Sequence, residues 1–273
     1  MKALCRAAGA LAVALALCTA VPLAAAQPVP AAAARPAAQA LEPMVQFDAL
    51  YIPLLSLTSA AQSNPAAVPK TVAAATRLRE RWPTLKAALA ANPPSAATRA
   101  EWRQALNAVE RQLAKSDAAV AQADWKTAHT VLEDVRTDLM KVREAAGFDY
   151  FVDRLTAYHE PMEVLALAGA GAKPEALDAA KRAQLEKAFA ESSARWRAVE
   201  QSLPDPRVYH LTPAREAQLR KGLADEAAAM SRLSDALRGS DDAQLLKAAS
   251  AVKPPYARAF TAFGAAEGEA SSR

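Results

Sequence analysis

Two four-residue spacings carry the densest chemistry in this chain: His129-Thr-Val-Leu-Glu133 and His159-Glu-Pro-Met-Glu163. On a helix, a step of four places both side chains on one face, where an imidazole and a carboxylate can share a proton or a cation. The pairs flank a short stop, Gly147-Phe148-Asp149. If the helices on either side fold back on one another, residues equidistant from that stop become neighbours. Glu133 then falls level with Met162, and His129, Glu133, His159, Met162 and Glu163 form a candidate metal site. Imidazole, carboxylate and thioether donors together suit a borderline divalent metal or copper. A plainer reading stands beside it: such His–Glu pairs are common on solvated helix faces, and Arg136 and Arg154 are near enough in sequence to neutralise the glutamates. The third histidine, His210, lies in a proline-rich loop and reads as solvated.

Enzyme signatures are absent from the sequence: it has no glycine-rich phosphate loop, no G-x-S-x-G and no H-E-x-x-H. The carboxylate pairs Asp241-Asp242 and Asp225-Glu226 fall at a helix start and on an expected polar face, where capping and solubility account for them. Trp82, Trp102, Trp125 and Trp196 all lie on apolar stripes and read as core anchors rather than a stacking platform. Helical proteins that hold haem pair a methionine near the start of the first helix with a histidine near the end of the last. Met44 meets the first requirement, but His129 lies near the start of its segment, at the opposite end of an antiparallel bundle, so that function does not carry over. A ferritin-like di-metal site needs Glu-x-x-His, and Lys126 and Thr156 stand where those glutamates would be.

The elements that must position these residues are helices. Hydrophobic residues make up 52% of the chain, yet 73 of its residues are alanine, the best helix former, while aromatics are only 5%. Apolar residues recur at steps of three and four over eight segments. The first runs from Leu41 to Ser63, and the next three cover Val68–Ala91, Ser95–Gln122 and Asp124–Ala146. The last four are marked by Phe151–Leu165, Leu185–Leu203, Leu219–Leu237 and Leu245–Phe263. Pro53 and Pro161 fall inside the first and fifth, each read as a bend in one helix, and Lys253-Pro254-Pro255 is expected to bend the eighth. The halves also align with each other: Pro53 with Pro161, Trp82 with Trp196, Leu106 with Leu223, Gly147 with Gly264. The expected fold is therefore all-α, two tandem antiparallel four-helix bundle-like units from an internal duplication, over residues 41–147 and 148–264. The halves differ most around His159, where the first copy has only Leu50 to Leu55.

The N-terminus reads as a secretory signal peptide over 1–26: Lys2 and Arg6, an apolar Leu11–Leu17, then Ala24-Ala25-Ala26 before Gln27. Its apolar stretch is short for a retained membrane anchor, and Leu17 stands before Cys18 where lipoprotein signals carry a small residue. No later segment reads as a membrane span. Both cysteines, Cys5 and Cys18, lie in this leader, so a mature chain holds itself together without disulfides. Losing Lys2 and Arg6 takes the formal charge from +4 to +2, too little and too dispersed to argue for nucleic acid. Residues 27–40 read as a disordered Ala/Pro tether and 265–273 as a disordered tail. The sequence thus points to a periplasmic or secreted, non-enzymatic helical protein that binds a partner protein or small ligand. The alternative is a periplasmic metal-handling protein built on the His/Glu/Met cluster.

Overall fold

The structure, a computed structural model, describes residues 31–265, with side chains from Gln39 onward. The expected leader with both cysteines, and nearly all of the expected tail, lie outside these residues. Among the described residues the chain is all-helical, with nine α-helices, two short 3-10 turns and no strand. The helices are α1 (Ala31–Ala61), α2 (Val68–Ala91), α3 (Arg99–Ala121), α4 (Trp125–Ala145), α5 (Phe151–Gly169), α6 (Ala179–Glu200), α7 (Pro213–Arg238), α8 (Asp242–Ser250) and α9 (Lys253–Thr261).

Their ends follow from local chemistry. The side chains of Asp124, Asp178 and Asp241 accept backbone N–H bonds from Thr127, Lys181 and Gln244 at 3.1, 2.8 and 3.0 Å, capping α4, α6 and α8. α4 stops at Gly147, whose φ of +65° turns the chain so that the Phe148 N–H donates to the Arg143 carbonyl at 2.9 Å. α1 and α5 run unbroken through Pro53 and Pro161. Burial of Tyr51, Ile52, Leu54 and Leu55 on one helix, and of Tyr158, Met162 and Leu165 on the other, outweighs the one backbone bond each proline removes.

Four expectations need correction. α1 begins at Ala31, inside the stretch read as a tether, because four successive alanines favour helix. The eighth segment is two helices: the chain breaks at Ala251-Val252, and Pro254 and Pro255 open α9, where a missing N–H costs nothing. Leu203, expected to close the apolar stripe of the sixth segment, is exposed and lies beyond the end of α6. The stretch Gln39–Ala61 is long and apolar enough to cross a membrane, and over half of it is buried within the fold.

α1 packs on α2 and α4, α2 on α3, and α3 on α4; α5 packs on α6, α8 and α9, and α7 on α6, α8 and α9. Contacts of α4 with α5 and of α1 with α9 join the two sets, and one continuous apolar core runs through both.

Candidate functional site

α4 presents His129, Glu133 and Arg136 on one face; α5 supplies His159 and Glu163, and the start of α9 supplies Lys253 and Tyr256. Arg136 is buried at the centre. Its guanidinium donates to Glu133 Oε2, to His159 Nδ1 at 2.5 Å and to the Tyr256 hydroxyl at 3.2 Å. A guanidinium only donates, so His159 Nδ1 accepts and the ring proton sits on Nε2, which faces Glu163 Oε2 at 3.7 Å. Lys253 Nζ donates to the other Glu163 oxygen at 2.6 Å. Each glutamate is thus matched by a cation.

Burial, with Arg136, Lys253 and His129 adding to it, holds the His159 imidazole down at about 2, so the ring is neutral. Burial also penalises the Arg136 charge, but Tyr256 and Glu133 outweigh that and raise its pKa. His129 is differently placed. Its Nδ1 lies 3.1 Å from the Leu55 carbonyl, which can only accept, so Nδ1 carries the proton. The bare Nε2 then faces Glu133 Oε1 at 3.4 Å. Burial lowers the His129 pKa against the pull of Glu133.

Of the five residues singled out from sequence, His129, Glu133, His159 and Glu163 are drawn together, and Met162 is fully buried in the core. Among the described residues no group of three or more His, Cys, Asp or Glu side chains is arranged to hold a metal ion. Arg136 neutralises Glu133 as expected, but Arg154 turns to Asp149 at 2.6 Å, and Lys253 takes the place expected of it. Lys253 and Tyr256 were missed because they return from the last helix, with no motif tying them to His159. His210, read as solvated, lies 2.7 Å from Glu42 of α1.

A second ionic network, unforeseen, sits nearer the α4–α5 turn. Arg143 donates to both oxygens of Asp153, at 2.8 and 2.5 Å, and lies over the Tyr150 ring, whose hydroxyl donates to Asp48 at 2.5 Å. Burial lifts the Asp48 carboxyl to about 6 against the pull of Arg143 and Tyr150. Of the Asp225-Glu226 pair, only Asp225 lies on the polar face, where it bonds Lys221 and Arg258. Glu226 is fully buried and accepts from the Tyr158 hydroxyl; burial pushes its carboxyl up to about 8.

The second half also carries an apolar groove of about 510 Å³ between α5, α6, α8 and the loop that follows α5. Gly169 makes it possible: a Cβ there would stand 2.4 Å from the Leu246 carbonyl, so only glycine lets α8 come this close. Leu185 and Leu246 line it from buried positions, while Val164 and Leu167, one turn apart on α5, remain 38% and 64% exposed at its edge. Lys173 and Lys181 are the charged residues lining it.

No protein family, curated protein or solved structure matches this chain. Its own geometry therefore carries the functional argument. The His159 cluster offers paired charges and one neutral imidazole whose acceptor nitrogen is already engaged. The groove offers uncovered aliphatic surface.

Proposed function

We propose that this chain is an exported, non-enzymatic binding protein, made of one four-helix unit written twice, that seats an apolar ligand or partner segment in the groove beside Leu167. The observation that carries the reading is the pair Val164 and Leu167, large aliphatic side chains left open above buried leucines on a chain that buries most of its others. An open aliphatic cleft of this size is in the range of small-ligand sites, about 300–1,000 Å³. The duplication is supported by the closed order of contacts in each half, with α8 and α9 together standing where α4 stands in the first. The non-enzymatic reading is supported by the His159 cluster, in which His159, Glu133 and Glu163 are engaged by Arg136 and Lys253.

Calorimetric titration of the purified mature protein with decanol, a neutral aliphatic ligand, tests the groove. Saturable binding to one site, lost in Leu167→Asp with the melting temperature unchanged, is expected; binding that survives Leu167→Asp overturns it. Export is tested by osmotic-shock release of a C-terminally tagged chain, expected to begin at Gln27.

A second reading, metal handling, draws support from His129. Its bare Nε2 and Glu133 Oε1 are two acceptors facing each other at 3.4 Å, a spacing that one divalent cation between them would suit. Such a site raises the melting temperature in zinc or copper by mass action, and His129→Ala removes the rise. No rise, or the same rise in His129→Ala, sinks this reading.

A further inference from the structure

The geometry points to the chemical class of the groove's ligand: an aliphatic chain ending in a carboxylate or similar singly negative head, held by Lys173 and Lys181. The inference rests on the binding reading above and deepens it.

Three features select this class. Val164, Leu167, Leu177, Leu185 and Leu246 give the groove branched aliphatic walls, and no aromatic side chain lines it. A planar ring or base, which gains from stacking on aromatic faces, finds none here, while a flexible alkyl chain fits. Each methylene buried against these walls is worth about fourfold in Kd.

The charge in the lining is of one sign. Lys173 and Lys181 are both cationic, and no carboxylate lines the groove. Lys181 is held in place: its Nζ donates to the Ala176 carbonyl at 2.6 Å and stands 3.9 Å from the Asp178 carboxylate outside the lining. An ammonium has three donors, so a head group can be bound without breaking that anchor. Lys173 precedes the 3-10 turn Pro174–Ala176 in extended backbone and reaches the same groove.

The occupant is a single small molecule in size. A volume of about 510 Å³ accommodates an alkyl chain and its head group and lies within the range of small-ligand sites, about 300–1,000 Å³.

A matched pair of ligands, decanoate and decanol, tests this by calorimetric titration of the mature protein at low and raised salt. Decanoate is expected to bind about five- to tenfold tighter than decanol at low salt, with the advantage shrinking as salt screens the lysines. Octanoate is expected to be weaker by about fourfold for each methylene lost. The double variant Lys173→Gln/Lys181→Gln keeps decanol binding and loses the preference for decanoate. Both positions are at the surface, so this variant folds, and an unchanged melting curve checks it. Equal affinity for decanoate and decanol overturns the anionic head while leaving the groove as a binding seat. If neither binds, the binding reading itself fails. If sedimentation shows a dimer that Leu167→Asp dissociates, and decanoate does not bind the dimer, a second copy fills the groove and the proposal is overturned.

Discussion

Arg136 and Arg143 stand two turns apart on α4, both buried, and meet opposite surroundings. Arg143 faces Asp153 and Asp48, both themselves buried, and lies against the Tyr150 ring. Arg136 faces Glu133 and His159, whose side chains still reach solvent, and beyond them Glu163 and Lys253. A cation whose acidic partners are sealed in with it cannot be lost without stranding charge. A cation whose partners border on water leaves them somewhere to turn. The first network is a fixture of the fold, whereas the second keeps partners that water can reach.

Removing each arginine sharpens this contrast most strongly. Arg143→Ala is expected to cost about 3–5 kcal/mol in urea unfolding, because Asp153 and Asp48 are left buried without their counter-charge. Arg136→Ala is expected to cost about 1–2 kcal/mol, since Glu133 can be hydrated. Equal losses would break the distinction.

Next in size is Glu226, sealed like Arg143, with the Tyr158 hydroxyl and the Tyr256 backbone as hydrogen-bond partners. Its folded carboxyl titrates near 8 against an ordinary 4.5, so the folded state holds a proton that the unfolded chain releases, and stability falls as pH rises between those values. Glu226→Gln, which can still accept from Tyr158, is expected to match the wild type near pH 4 and exceed it by about 2–4 kcal/mol near pH 9. A constant difference across that range would refute it.

His159 works in the opposite sense and more weakly. The unfolded chain takes up a proton at the ordinary 6.5 while the folded ring stays neutral, so stability is full above 6.5 and is lost as pH falls below it. His159→Gln is expected to flatten this acid limb, recovering about 1–2 kcal/mol near pH 5. The smallest effect is expected at the exposed pair His210–Glu42, where His210→Ala changes the melting free energy by less than about 1 kcal/mol.

The helices were legible because their signals are local. α2 spans Val68–Ala91 as its periodicity and the stops Asn64-Pro65 and Asn92-Pro93 require. The return of α4 onto α5 followed from the short Gly147 turn, and with it the meeting of His129, Glu133, His159 and Glu163. What escaped was side-chain choice between faces. Glu226 is charged by type and follows Asp225, so the pair looked like one polar surface, yet a single step along a helix turns a side chain through about 100° and buries the second. Lys253 reaches Glu163 only through the packing of α9 on α5, which no local spacing records.

Gly264 follows α9 and lies against Pro53 of α1; a Cβ there would stand 2.7 Å from the proline ring. Beside it the Ala265 N–H donates to the Ala49 carbonyl at 2.6 Å. The end of the described chain is thus a latch on its first helix. During synthesis α1 emerges early but meets this partner only after everything up to residue 265 has been made, so no N-terminal fragment can complete the closure. Such long-range closure slows folding relative to a helical protein with only local contacts.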